Sequence, residues 1–228
     1  MEFKNDKSRG GNKTGAPVSR KLGRMLVASA LAAGLLLPKP ARADSIELMA
    51  GNKNATLDLK ASADLTKKLG VFVRARPSVD YTGAISSFGV GDLILNLSGG
   101  LDALGEVQAF GGKVVPRAGA QYFAKTGPFS LYTAATIGFD SNPYLESLTV
   151  LRCAPALYRG LALLSQIENV SDLDTGGNVF STQRIRLGVE LKGWGAGAAV
   201  DLTETGNHPK PSDGTFGWNA GGFMSKRF

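Results

Sequence analysis

The sequence predicts an all-β chain: a single antiparallel transmembrane β-barrel of about 12 strands, with about 10 as the alternative, preceded by a cleaved signal peptide. Three observations carry this. From Ala55 onward apolar residues recur at every second position, the period of a sheet with one apolar and one polar face. Turn-forming segments fall between these runs and alternate in length along the chain. A basic leader with a short apolar centre precedes them all.

The leader also accounts for the charge. The 228 residues hold 26 Lys+Arg and 19 Asp+Glu, a net charge of +7. Residues 1–43 contain nine of the basic residues against only Glu2 and Asp6, so they carry all of it. Residues 44–228 are neutral overall, and a nucleic-acid partner loses its electrostatic basis. Within the leader, Arg20, Lys21 and Arg24 form a positive end, and Met25 to Leu37 form an apolar stretch too short to span a bilayer. Pro38 stops that helix, and Ala41-Arg42-Ala43 reads as the cleavage site. The expected division is a signal peptide over 1–43 and the barrel over 44–228.

The strands follow in order. A short one covers Ser45 to Ala50. In 55–66, Leu57, Leu59 and Ala61 alternate with Asp58, Lys60 and Ser62. In 69–80, Val71, Val73 and Ala75 alternate with Phe72, Arg74 and Arg76. Strands over 88–99, 102–110, 113–126, 128–140, 145–158 and 160–170 come next. In 180–192, Ile185, Leu187 and Val189 alternate with Arg184, Arg186 and Glu190. Strands over 194–204 and 215–228 complete the set. Short connections are expected near Lys67-Lys68, Leu101 to Ala103, Gly127, Arg159-Gly160 and Lys192-Gly193. Longer or looser ones are expected at Tyr81 to Ser87, Gly111-Gly112, Ser141 to Tyr144, Ser171 to Val179 and Thr205 to Gly214. Apolar faces could point inward, as in a soluble sandwich or barrel, or outward into lipid. Turns on one rim with longer loops on the other, and aromatics near strand ends, favour the membrane arrangement.

The chain ends in a run from Thr215 to Phe228, in which Phe216, Trp218, Met224 and Phe228 share one face with Lys226. This resembles the last strand of Gram-negative outer-membrane β-barrels, whose terminal Phe is read by the barrel assembly machinery. The resemblance implies location in the cell outer membrane, contact with its lipids and an assembly signal formed by Phe228, Trp218 and Phe216. Lys226 departs from the apolar pattern, but near the rim it can snorkel.

Parity also places Arg74 and Arg76 on the polar face, with Arg184 and Arg186 at similar height on the opposite wall. Arg117 and Lys60 point inward by the same rule, while the side taken by Arg152 stays open. Opposed guanidinium rows attract carboxylates. With the strand number, this resembles the small twelve-stranded porins for acidic oligosaccharides and sialic acid. That resemblance implies a narrow diffusion porin preferring small anionic solutes. Two rivals stand beside it. In one, the arginines pair with Asp58, Asp64, Asp92, Glu168, Glu190 and Asp201 in a filled, non-conducting barrel that acts through its loops. In the other, the barrel is an outer-membrane hydrolase. No enzymatic activity, cofactor or metal is expected. Cys153 is alone, and His208, the single histidine, sits in a proline-rich loop, a poor place for a catalytic triad. The Gly89-Gly91 and Gly195-Gly197 spellings lie within strands and open no helix, so they are not phosphate loops.

Overall fold

Thirteen antiparallel strands form one sheet that closes on itself in the computed structural model, which describes residues 45–140, 143–174, 177–206 and 215–228. The leader over 1–43, its cleavage site and the segment holding His208 lie outside the described residues. The strands are β1 (Ser45–Gly51), β2 (Asn54–Asp64), β3 (Leu69–Asp80), β4 (Ile85–Ser98), β5 (Leu101–Phe110), β6 (Lys113–Thr126) and β7 (Phe129–Gly138). They continue as β8 (Tyr144–Cys153), β9 (Ala156–Tyr158), β10 (Leu161–Asp174), β11 (Gly177–Leu191), β12 (Trp194–Thr205) and β13 (Thr215–Arg227). Consecutive strands pair except at β8, which pairs with β10 rather than β9; β1 pairs with both β2 and β13, and the β10–β11 pairing completes the ring. β9 is a short stub on β10 beyond the end of β8, so twelve strands make the barrel wall.

Two sequence expectations are corrected. The strand expected over 145–158 is broken into β8 and β9 around Pro155. Proline has no N–H for the ladder, and its carbonyl instead accepts from Leu163 N at 3.0 Å. The rims also differ less in loop length than the pattern implied. β4 begins at Ile85, β10 runs to Asp174 and β11 starts at Gly177, so pairing consumes much of the expected loops. Segment 206–214, between β12 and β13, is the longest connection on that rim. The tight turns Arg159-Gly160 and Lys192-Gly193 hold both central residues at positive φ (45° and 83°, 49° and 80°), which suits the twist of the hairpins they close.

The alternation resolves as apolar outside and charged inside. Leu48, Leu93, Leu95, Leu151, Leu187 and Val189 stand exposed on the outer surface, while Asp58, Arg74, Arg117, Glu168, Arg186 and Asp201 are buried within. A continuous apolar exterior around a closed sheet is the membrane-spanning arrangement, because every backbone group is paired and only the outer side chains meet lipid. Exposed rings mark both ends: Tyr81, Phe139, Phe216 and Trp218 on one rim, Phe129, Tyr158, Trp194 and Phe228 on the other. Phe88 and Phe180, two more aromatics near strand ends, turn inward instead and line the lumen. Tyr144 also faces inward, beneath the Arg117 guanidinium at 5.0 Å.

The barrel is oval. A circular ring of twelve strands spaced about 4.8 Å and tilted about 40° would be about 24 Å across. β3 and β10 lie halfway round the ring from each other, yet Arg74 on β3 and Glu168 on β10 are in hydrogen-bond contact. Two side chains cannot bridge the circular distance, so the walls draw together there. The ends of the long axis have their own cause. At Gly119 an added Cβ would overlap the Ala135 carbonyl of β7, and at Gly221 it would overlap the Ala50 carbonyl of β1. These sharp bends, at β6–β7 and at β13–β1, sit opposite each other, as glycine permits at a barrel corner. Gly188 against Gly197 curls the second end further.

Candidate functional site

The charged interior is organised around two carboxylates, each held by two arginines from different walls. Arg74 on β3 donates through Nη2 to Glu168 Oε1 at 3.1 Å, and Arg184 on β11 donates through Nη1 to the same oxygen. Arg76 Nη2 donates to Asp201 Oδ2 at 2.7 Å, and Arg186 Nη1 to Asp201 Oδ1 at 2.7 Å. Asp58 completes the first group, accepting from Arg74 Nε at 2.8 Å and also from Arg74 Nη2. Glu47 completes the second, accepting from Arg186 Nε at 2.8 Å. Lys60 Nζ stands 3.7 Å from Asp58 and 3.9 Å from Glu168. Carboxylates shared between fixed guanidinium forks are strong, directional contacts.

This bridge divides the oval into two lobes of different character. The lobe formed by β10 to β13 and β1 is filled. Met49, Leu164, Ala199 and Phe223 pack there as a buried cluster, with Met49 only 1% exposed. Gly195 borders the cluster, where an added Cβ would touch Leu164 and Phe223 at ordinary contact distance and collide with the Ser225 hydroxyl. The lobe along β3 to β8 is hollow and holds a cavity of about 550 Å³. A second cavity of about 280 Å³ opens toward the rim beside Lys53 and Trp218. The two share Arg76, Phe88, Phe110 and Thr182 as lining.

Every arginine and lysine expected in the lumen is found there. Lys60, Arg74, Arg76 and Arg184 line the hollow lobe, Arg186 lies in the bridge, and Arg117 sits deep in the wall of β6. All six are ion-paired: five take Asp58, Glu168 or Asp201, three of the six acids of the filled-barrel rival, while Arg117 takes Glu106 and Glu146, which that rival did not name. Arg152, whose side was open, faces inward and donates to Glu190. Phe216, Trp218 and Phe228 share the outer face of β13, and Lys226 near them donates to Lys192 O at 3.2 Å and covers the Trp194 ring at 5.1 Å.

A second charged group was not singled out from the sequence. Asp92, Glu106, Glu146 and Asp172 line the hollow lobe around Arg117. Arg117 Nη1 and Gln108 Nε2 both donate to Glu146 Oε2, at 2.8 and 3.0 Å. Between the two charged groups the wall carries Phe72, Val90, Ile94, Leu148, Val150 and Val170. The signal for this wall was present in the sequence: these apolar residues occupy the parity of the charges, so their strands are apolar on both faces.

No family model matches the chain, and no curated protein matches it. Among solved structures it is similar to one described as the KdgM porin in complex with disordered oligogalacturonate. The likeness covers 82% of this chain and 99% of that one, at 10% identity and a TM-score of 0.46. At that level it concerns barrel shape and says nothing of the solute.

Proposed function

We propose that the protein is an outer-membrane barrel of porin type, passing small solutes along the hollow lobe. One observation supports this above the others: the cavity of about 550 Å³ adjoins the rim cavity of about 280 Å³, while Met49, Leu164, Ala199 and Phe223 form a buried cluster in the opposite lobe. The resulting path is narrow and one-sided. An anionic solute group would meet Lys60 and Arg76, the basic side chains of the bridge with most remaining exposure, at 28% and 17%. Their positive charge is offset by the carboxylates beside them, so any anion preference is mild and screened by salt.

The experiment is single-channel recording of refolded protein in planar bilayers. Small conductance with a reversal potential displaced toward anions at low salt supports both parts of the proposal. Conductance with no anion preference removes the anion part alone. A folded barrel without conductance favours the second reading, a closed structural or interaction barrel, to which the packed Met49 cluster and the ion-paired bridge lend support.

A further inference from the structure

We infer that the hollow lobe is a binding site for an amphipathic organic cation, an ammonium group on an alkyl or aryl body. The inference goes beyond the porin reading and does not depend on conduction. Phe72, Val90, Ile94, Leu148, Val150 and Val170 face this cavity, an apolar surface that solute passage alone does not call for. A volume of about 550 Å³ lies in the range of small-molecule sites, which combine apolar lining with a few placed polar groups.

The basic side chains of the cavity, Lys60, Arg74, Arg76 and Arg184, belong to the bridge; the sign of charge for this site is selected by the acids Asp92, Glu106, Glu146 and Asp172. Asp92 and Glu106 stand directly opposite each other on β4 and β5, and Glu146 and Asp172 do so on β8 and β10. Like charges directly opposite are unfavourable in a sheet, so a cation placed between Asp92 and Glu106 would relieve their repulsion. Arg117 is the basic side chain among these acids, and it is spent on Glu146 at 2.8 Å and on Glu106, where Nε stands 3.3 Å from Oε1 without hydrogen-bond geometry. Gln108 adds one further donor to Glu146.

Asp92 supplies the second, independent observation. It lines the cavity, is only 9% exposed, and its Oδ1 has no hydrogen-bond partner. A buried acceptor left unmade is costly, and an ammonium N–H would complete it with a charge-assisted bond. Among the described residues no three carboxylates are gathered tightly enough to hold a metal ion. The apolar wall beside the acids matches the body of an organic cation. Access from the rim leads past Arg76, Phe88, Phe110 and Thr182.

The test is calorimetric titration of the refolded, detergent-solubilised barrel with n-hexylammonium, 1-hexanol and hexanoate, three probes of one size and different charge. Hexylammonium should bind about tenfold more tightly than the other two. In the Asp92→Asn, Glu106→Gln double variant it should fall to the level of hexanol, with hexanol unchanged. Leu148→Ser should weaken hexylammonium and hexanol together. Equal binding of hexanoate and hexylammonium by the unaltered protein would overturn the inference, and that comparison needs no variant to fold. Undiminished hexylammonium binding by the double variant would overturn it as well. Bilayer recordings report on conduction separately, so loss of the porin reading leaves this result intact.

Discussion

Arg74 on β3 and Arg184 on β11 grip the same oxygen of Glu168 from opposite sides of the lumen. The contact joins walls that a round barrel would hold apart, and Glu168 is only 2% exposed between them. Removing one partner of a buried group strands the others, at a cost of about 3–5 kcal/mol. Glu168→Gln should therefore lower folding stability by about 3 kcal/mol, read from the urea midpoint in lipid vesicles. Adding Arg184→Met should restore part of the loss by removing a stranded charge. A Glu168→Gln barrel as stable as the original would mean that water, not the carboxylate, satisfies these arginines.

The corner at Gly119 makes a second test of the oval section. A side chain there meets the Ala135 carbonyl, a backbone atom that cannot move without opening the β6–β7 ladder. Gly119→Val should sharply reduce the yield of folded, heat-modifiable barrel. Gly105, where an added Cβ meets nothing within 4 Å, serves as the control, and Gly105→Ala should fold normally. Equal folding of the two variants would remove the corner from the account of the shape.

How far the sequence reaches is visible in these same residues. Period two assigned Arg74, Arg76, Arg184 and Arg186 to the lumen, and counting from the turns set them on facing walls. Both follow from local geometry, which a strand carries in its own residues. Which acid each arginine takes was not legible, because that depends on the cross-section. The cross-section is set by close backbone approaches at Gly119 and Gly221, and glycines are too frequent in this chain to single those two out. The acidic wall escaped for a different reason. Asp92, Glu106 and Arg117 meet across the consecutive strands β4, β5 and β6, but Glu146 and Asp172 come from β8 and β10, and the register that brings these acids together depends on how the strands pair.

The terminal strand yields a prediction about assembly. Phe228 is exposed at the outer end of β13, where it makes a weak cation contact with Lys226 at 6.0 Å and contributes nothing to the buried core. Its loss should cost little in the folded state. Deleting Phe228, or changing it to Asp, should nevertheless impair membrane insertion in cells while synthesis continues. The same variant refolded from urea into detergent should reach a normal barrel. Normal insertion in cells would end the assembly-signal reading; failure in both settings would assign Phe228 a structural role instead.

Lys60 and Arg76 are the positions at which to test anion preference. Charge reversal at Arg74 or Arg186 would set a new carboxylate beside Glu168 or Asp201 and confound selectivity with folding. Lys60 is held only by contacts of 3.7 and 3.9 Å, so Lys60→Gln removes its charge without adding a carboxylate beside Asp58 and Glu168, and leaves the bridge in place. Combined with Arg76→Gln, it should shift the reversal potential toward cations, most at low salt, where the Debye length is longest. Val73→Ala and Leu187→Ala on the outer face should leave selectivity alone. A conducting barrel whose reversal potential ignores the Lys60 and Arg76 changes would place its anion selectivity elsewhere in the wall.

The packed lobe offers the most direct test of a one-sided path. Met49 and Phe223 fill the space beside β12 and β13, and neither takes part in the bridge. Truncating buried side chains of this size leaves cavities, and each change costs about 2–5 kcal/mol. Met49→Ala with Phe223→Ala should therefore yield a less stable barrel with a lower urea midpoint. If the hollow lobe alone conducts in the original protein, the double variant should add a second route on the other side of Arg74 and Glu168. Unit conductance should rise, and hexylammonium, seated at the acidic wall, should block only the original part of the current. Unchanged conductance with the expected loss of stability would show that the lobe is closed at another level. Complete block by hexylammonium would show that both lobes drain through one constriction, and the division of the lumen by the Arg74–Glu168 contact would have to be abandoned.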